Sequence, residues 1–200
     1  MKFTALCDQI FEQVITTYHE QDDVDALMPT PYPSGSIEML LFHKSWIDTV
    51  QWHLEDIIRD PAIDPCQALK IKRRIDSSNQ DRTDKVEFLD NYFLDKYKDV
   101  VLLSDATINS ETIAWAVDRL SILALKTFHM GLEATRSGAS VAQRELCAVK
   151  LGVLVEQHHD LVAAIETLLV DIESGRKFIK TYKQMKMYND PLLNPVLYKG

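Results

Sequence analysis

Helix-breaking residues are rare in this chain, and their positions constrain its fold more than any other feature of the sequence. The seven prolines and six glycines fall mostly in three short regions, at 29–35, 60–65 and 190–200. Because both residues weaken helix interiors, the long segments between these regions are free to form helices. The spacing of the breakers therefore predicts a chain that is mainly helical.

Apolar residues recur at intervals of three and four in these segments, as on the buried face of an amphipathic helix. The pattern predicts six helices, over about 3–19, 36–59, 65–97, 111–134, 140–174 and 176–187. The irregular segments are expected to be an acidic loop at about 21–35, a loop at 98–109 and a tail at about 188–200. Since long helices with short connections favour antiparallel packing, we expect residues 1–200 to form a single all-α domain. Its architecture would be an antiparallel bundle of about six helices with long central helices.

Capping residues mark several of the predicted helix ends. The predicted N-cap residues of the third, fourth and fifth helices are Asp64, Asn109 or Ser110, and Ser140. Gln143 lies three residues after Ser140, which is the spacing of a capping box. Gly175 suits the left-handed position just beyond the end of the fifth helix.

Net charge and cysteine content exclude several classes of function. With a formal net charge of −8, the chain lacks the positive field that general nucleic-acid binding needs. Its three cysteines, Cys7, Cys66 and Cys147, do not have metal-binding spacing, and they indicate reduced thiols in the cytoplasm. The amino terminus does not resemble a signal peptide, and no apolar stretch approaches the ~20 residues that span a membrane.

The fourth predicted helix carries charges where apolar residues are expected. Between Ile113 and Leu132 it is apolar around nearly its whole circumference, as a central buried helix is. Its interior nevertheless contains four ionisable residues, Asp118, Arg119, Lys126 and His129. Because an unpaired buried charge is strongly destabilising, these side chains are expected to be paired or to face a polar cavity.

Two other helices show the same conflict. In the third helix, Asn79 and Arg82 interrupt the apolar face, and an acidic flank lies beside them: Asp76, Gln80, Asp84, Glu87 and Asp90. The second helix adds a group of aromatic and polar residues: Trp52, His53, Glu55, Asp56 and Arg59. These positions predict either a polar network that fixes helix register or a polar pocket between the second, third and fourth helices.

The sequence contains only parts of the residue patterns that bind metals. His53 and Asp56, like Glu156 and His159, have the one-turn spacing of two ligands from one helix. A ferritin-like di-iron site needs two Glu-x-x-His helices, and the chain has one strict example. No residue is therefore assigned to a metal, and no cofactor is inferred.

Nucleotide hydrolysis is an alternative that rests on acidic residues. The run Asp84, Glu87 and Asp90 resembles half of the carboxylate pattern of all-helical nucleoside-triphosphate pyrophosphohydrolases, which hold Mg²⁺ between two helices. The other half is missing, and Glu55 and Asp56 would have to replace it.

Three segments together resemble one known family. They are WHLEDIIRDP (52–61), KRRIDSSNQDRTDKVEFLD (72–90) and SETIAWAVDRLSILALKTFHM (110–130), followed by QMKMYNDPLLNP near the end. In order and spacing they resemble a bacterial family of unknown function, DUF4254. The resemblance implies motif residues at Trp52, His53, Glu55, Asp56, Arg59, Lys72, Arg73, Asp76, Asn79, Gln80, Arg82, Asp84, Glu87, Asp118, Arg119, Lys126 and His129. Thr83 departs from the pattern, which has Asn at this place.

The resemblance implies a setting near bacterial glycosyltransferases and surface-polysaccharide assembly, but it implies no activity. The first hypothesis is an accessory protein whose polar pocket binds an anionic small molecule, either a phosphorylated metabolite or a nucleotide sugar. The second is a metal-dependent nucleotide or phosphoester hydrolase, and the third is a structural protein whose polar residues fix the bundle register or a homodimer interface. The candidate ligand-binding residues are fourteen of these motif residues: Trp52, His53, Glu55, Asp56, Arg59, Asp76, Asn79, Arg82, Asp84, Glu87, Asp118, Arg119, Lys126 and His129.

Overall fold

The computed structural model describes residues 2–183, 185, 187 and 190–199 of the chain. Its helices are α1 (Phe3–Gln21), α2 (Ile37–Ile57), α3 (Pro65–Lys96), α4 (Ile113–Thr135), α5 (Val141–Glu173) and the short α6 (Pro195–Tyr198). Two short strands, β1 (Thr107–Ile108) and β2 (Lys177–Phe178), pair in parallel. The all-α fold predicted from the sequence is confirmed, and the first five helices begin and end close to their predicted bounds.

Side-chain caps account for where α3, α4 and α5 begin. Asp64 caps α3 by accepting two hydrogen bonds of 3.0 Å from backbone N–H groups of the first turn. Ser140 caps the start of α5 and forms the predicted capping box with Gln143. The cap of α4 is Thr112, whose hydroxyl accepts from a backbone N–H at 3.3 Å. The predicted caps Asn109 and Ser110 lie before this residue, because the chain bends at 110–111 and becomes helical only after Thr112.

The helices from α2 to α5 alternate in direction. The Gln51 amide donates to Asn79 Oδ1 at 2.9 Å, and Asp48 lies beside Arg82, so later residues of α3 meet earlier residues of α2. The short connection at 136–140 turns the chain back between α4 and α5, which pack along each other. This part of the chain is therefore an antiparallel bundle.

The first helix joins the bundle in a different way. Thr4 donates to Glu166 at 2.6 Å, and Asp8 pairs with His158 at 2.8 Å, so α1 runs antiparallel to α5. It is therefore parallel to α4 and to α2. The segment 22–36 is long enough to carry the chain back along the bundle before α2 begins.

Gly175 ends α5 as predicted, with a left-handed φ of 72°. Its N–H donates to the Ile172 carbonyl at 3.0 Å, and the N–H of Arg176 donates to the Asp171 carbonyl at 2.9 Å. These two bonds form a Schellman motif, which satisfies carbonyl groups that the helix end leaves without partners.

The prediction of a helix over 176–187 is wrong, because the residues that the structure describes in this range are not helical. This segment instead follows the earlier loop: the Leu103 N–H donates to the Gly175 carbonyl and the Thr107 N–H to the Arg176 carbonyl, both at 3.0 Å. Backbone pairing with the loop at 98–109 outweighs the local helical pattern. The periodicity of one segment carries no information about a partner elsewhere in the chain. Residues 184 and 186 of the predicted helix lie outside the described residues.

The first half of α4 lies at the centre of the bundle. This helix packs against α1, α2, α3 and α5, and nine of its residues between Ile113 and Leu125 are buried. Leu132, nearer the end of the helix, is 50% exposed. The prediction of a buried central helix therefore holds for the first half of α4 and not for the second.

Within the described residues, no helix combines the length and the apolar character needed to cross a membrane.

Candidate functional site

A group of buried charges lies where α2, α3 and α4 meet. We call it the buried ionic cluster, and its members are Lys44, Asp48, Arg82, Asp118 and Ser121. The side chains of Lys44 and Asp48 are fully buried, and that of Asp118 is 4% exposed. Two cations face two anions, so the cluster has no net formal charge. Pairing of this kind offsets the cost of removing the charges from water.

Lys44 contacts both carboxylates of the cluster. Its Nζ donates to Asp48 Oδ2 and, at 3.1 Å, to the main-chain oxygen of Asp118. It also lies 2.9 Å from Asp118 Oδ1. Since an ammonium group has three N–H donors, these three oxygens supply a full set of partners. Ser121 completes the Asp48 side by donating to Oδ2 at 2.6 Å.

Arg82 reaches the cluster from α3 and forms its outer edge. Its Nε donates to Asp118 Oδ1 at 2.8 Å and its Nη2 donates to Asp118 Oδ2, so the pairing is bidentate. The same Nε lies 3.4 Å from Asp48 Oδ1. The Arg82 side chain is 28% exposed, so the guanidinium is fixed on one side and accessible on the other.

These contacts separate the pKa values of the two carboxyl groups. Burial raises the pKa of Asp48, an effect that Lys44 opposes and the negative charge of Asp118 strengthens. Burial also acts to raise the pKa of Asp118, but Lys44 and Arg82 outweigh it and hold this pKa below its usual value. The hydrogen bonds to Asp118 raise the pKa of Arg82. Asp118 is therefore the more firmly ionised carboxylate, and it anchors the arginine.

A surface groove of about 610 Å³ opens beside Arg82. We call it the α4–α5 groove, and its charged lining residues are Arg82, Glu111, Asp118, Arg119, Lys126 and Asp160. Arg119 pairs with Glu111 at 2.7 Å. Lys126 is exposed and forms no ion pair with any residue that the structure describes. Four of the predicted site residues thus share this groove.

Three imidazole rings from three helices converge elsewhere in the bundle. We call His19 of α1, His53 of α2 and His129 of α4 the histidine cluster; their ring centroids are 5.1, 5.3 and 5.4 Å apart. One ring nitrogen from each lies within 4.8 Å of the other two. Tyr18 stacks on His53 and Trp52 stacks on His129, each at 4.8 Å between centroids. Each of the three side chains is half-buried.

The Nε2 atoms of the three histidines are buried and form no hydrogen bond with the described residues. In His19, Nδ1 lies 2.7 Å from the Ile15 carbonyl, so Nδ1 donates to this oxygen, and in the neutral form of the ring Nε2 has the free lone pair. Burial and the neighbouring histidines lower the pKa of His129 to about 4. Burial, together with His19, also lowers the pKa of His53. The rings of His53 and His129 are therefore neutral at pH 7, the form in which imidazole binds metals.

The acidic residues of the hydrolase hypothesis do not come together. Asp56 lines a cleft of about 300 Å³ between α2 and α3, together with Trp52 and Arg82. Asp84 and Glu87 line a different cleft, of about 250 Å³. Among the residues that the structure describes, the group placed closely enough to share one ion is the histidine cluster.

The other predicted site residues make contacts at or near the surface. Arg59 pairs with Glu55 at 2.8 Å and is 66% exposed, and Asp76 pairs with Lys72 on the surface of α3. Exposed pairs of this kind contribute about 1 kcal/mol or less. Asn79 accepts a hydrogen bond from a glutamine amide of α2 at 2.9 Å. These residues therefore join helices or cover their surface, outside the groove and the histidine cluster.

Four residues of these two clusters were missed from the sequence: Lys44, Asp48, Ser121 and His19. Lys44 and Asp48 are four residues apart and resemble an ordinary surface pair. Their spacing from Leu41, which is fully buried, was the available signal, because positions three and four residues apart share a helix face. His19 lies in the last turn of α1, where a basic side chain is common, so nothing in the sequence distinguished it.

Comparison with known proteins gives one match. A family model described as "Protein of unknown function (DUF4254)" matches residues 38–181. This span contains the buried ionic cluster and every site residue predicted from the sequence, whereas His19 lies before it. No curated protein and no solved structure matches the chain.

Proposed function

The chain belongs to the DUF4254 family of proteins of unknown function, and we propose that it binds an anionic small molecule in the α4–α5 groove. The ligand is a phosphorylated metabolite or a nucleotide sugar, and the role is accessory and not catalytic. One observation carries the proposal: a fixed guanidinium, Arg82, and an ammonium without an ion pair in the described residues, Lys126, line the same groove. The groove volume of about 610 Å³ lies within the range of about 300–1,000 Å³ that is usual for small-molecule sites.

Arg82 is suited to anion binding because its position is fixed before a ligand arrives. Its bonds to Asp118 use Nε and Nη2, and the two N–H groups of Nη1 have no hydrogen-bond partner among the described residues. Planar guanidinium groups bind phosphate oxygens well. A donor held in place by buried carboxylates loses little conformational freedom on binding.

Lys126 supplies the second positive charge. It follows Asp118 by two helical turns on the same face of α4, a distance of about 12 Å along the helix axis. Because both Arg82 and Lys126 carry long side chains, their charged ends can approach one phosphate or two linked phosphates. The opposite wall offers Gln157 and Asp160 for hydroxyl groups and Leu161 for an apolar ring face. This combination favours a sugar phosphate or a nucleotide over inorganic phosphate.

We expect Lys126→Ala to weaken binding of a phosphorylated ligand by about tenfold or more, because a hydrogen bond to a charged group contributes about 1.5–3 kcal/mol. The ligand is first found by thermal-shift screening of nucleoside diphosphates, nucleotide sugars and sugar phosphates. Titration calorimetry then compares the wild type with Lys126→Ala and with Lys150→Ala, an exposed lysine on α5. The Lys150 variant is expected to bind as the wild type does.

Two results would contradict this proposal. One is a screen in which no phosphorylated compound raises the midpoint of thermal unfolding. The other is a ligand whose affinity is the same in the wild type and Lys126→Ala. Because Lys126 is exposed, its replacement is expected to change stability by no more than about 0.5 kcal/mol, so a loss of binding will not reflect unfolding.

A further inference from the structure

We propose that the histidine cluster binds one divalent transition-metal ion through the Nε2 atoms of His19, His53 and His129. The site goes beyond the ligand proposed for the α4–α5 groove, because it uses other residues and lies partly on α1. Three helices, α1, α2 and α4, each contribute one imidazole, and one ring nitrogen from each lies within 4.8 Å of the other two.

The strongest observation is that three buried ring nitrogens, one from each histidine, lack a hydrogen-bond partner among the described residues. All three are Nε2 atoms that are removed from solvent. Buried polar atoms in proteins nearly always have a partner, so each exception needs an explanation. A single cation between the rings would give all three atoms a partner at once. A purely aromatic packing role would not account for three buried ring nitrogens without hydrogen-bond partners in one cluster.

The protein holds the rings in place without using these atoms. The bond between His19 Nδ1 and the Ile15 carbonyl fixes that ring and directs its Nε2 away from the backbone. Contacts of this kind are typical of histidines that bind metals, because they set the tautomer and the ring orientation. Trp52 lies flat on His129, with 2° between the ring planes. This stacking restricts rotation of a second ligand.

The distances suit a small ion after modest adjustment. A tetrahedral zinc ion with Zn–N bonds of about 2.0 Å separates its ligand nitrogens by about 3.3 Å. One nitrogen from each ring lies within 4.8 Å of the corresponding nitrogens of the other two rings, so these atoms have to approach one another by about 1.5 Å at most.

The ligand set indicates the class of metal. Imidazole nitrogens suit zinc, copper, iron and nickel, whereas magnesium and calcium require oxygen ligands. Asp22 and Asp56 exert a negative potential on His129, which partly balances the charge of a divalent ion between neutral rings. Three protein ligands leave a tetrahedral ion one position for water or another small ligand.

The test uses the whole chain of 200 residues, freed of metal by dialysis against a chelator. Titration calorimetry with Zn²⁺ is expected to show one tightly bound ion per chain. The visible spectrum with Co²⁺ is expected to be that of nitrogen and oxygen coordination, without the thiolate charge-transfer band that binding at a cysteine produces. His19→Ala, His53→Ala and His129→Ala should each lower the affinity about 100-fold or more, since losing even an outer partner costs 10- to 100-fold.

Controls separate the proposed site from adventitious binding. His159→Ala removes an exposed histidine on α5, and it should bind Zn²⁺ as the wild type does. His129→Gln preserves more of the side-chain volume, and circular dichroism of each metal-free variant shows whether it is folded. If an alanine variant does not fold, the number of Zn²⁺ ions bound by the wild type and the spectrum of its Co²⁺ complex still test the proposed site.

The proposal is overturned if the wild type binds no Zn²⁺, if the Co²⁺ complex shows a thiolate band, or if the folded cluster variants bind as tightly as the wild type. None of these outcomes depends on a phosphorylated ligand. The metal site and the groove can therefore fail separately.

Discussion

Lys44→Met is expected to lower the free energy of unfolding by about 3–5 kcal/mol, the usual cost of removing one partner from a buried ion pair. Methionine fills much of the space of the lysine stem but supplies no charge and no hydrogen-bond donor. Asp48, whose side chain is fully buried, would lose the ammonium group that it contacts. Asp118 would keep Arg82 but lose its contact at 2.9 Å with Lys44. Chemical denaturation followed by circular dichroism measures the change.

Lys72→Met is the matched control for this measurement. Lys72 also pairs with an aspartate four residues along its helix, but both side chains are about half exposed, at 55% and 42%. Its replacement should change stability by no more than about 0.5 kcal/mol. If the two lysine variants lose similar amounts, Asp48 and Asp118 do not depend on Lys44 for their charge balance, and the ionic interpretation of the cluster is wrong.

Gly175→Ala is the second substitution with a large expected effect, about 3 kcal/mol or more, because two costs add. The backbone at Gly175 is left-handed, with φ of 72°, a conformation that L-residues with a side chain adopt unfavourably. A Cβ at this position would also lie 2.3 Å from the backbone oxygen of Val101. Relief requires the loop at 98–109 to move away, which breaks the bond of 3.0 Å from the Leu103 N–H to the Gly175 carbonyl.

Gly152→Ala provides the control on the same helix. Beyond its chain neighbours and the backbone of its own helix, its Cβ would meet no atom within 4 Å, and alanine favours the helix over glycine by up to about 1 kcal/mol. Thermal and chemical denaturation should therefore show a gain in stability for this variant and a loss for Gly175→Ala. A neutral Gly175→Ala variant would contradict the described packing between the end of α5 and the loop at 98–109.

Local sequence signals predicted the helices well where the cause is local. Ser140 and Gln143 specify the start of α5 through a capping box, and Gly175 specifies its end through a left-handed turn. The helix predicted at 176–187 fails because β2 obtains its partner from β1, far away in the chain. Periodicity describes one segment at a time, so it does not detect such pairing.

The residues of the candidate site were also predicted only in part from the sequence. The sequence identified Asp118 and Arg82 because charges on apolar helix faces need partners, and the structure joins these two residues to each other. The sequence did not identify Lys44, because Asp48 lies four residues later on the same helix and the two residues resemble an ordinary surface ion pair. The acidic residues Asp56 and Asp84 were predicted to act together, yet they line different clefts.

What the sequence determined by itself is the all-α fold, the bounds of its long helices and the presence of charges that have to be paired. These properties follow from periodicity, capping and the cost of burying charge, all of which act over a few residues of chain. Only the tertiary structure decided which charges meet and where a groove remains open. It also brought His19 to His53 and His129, because the crossing of α1 over α2 and α4 depends on the packing of the whole bundle.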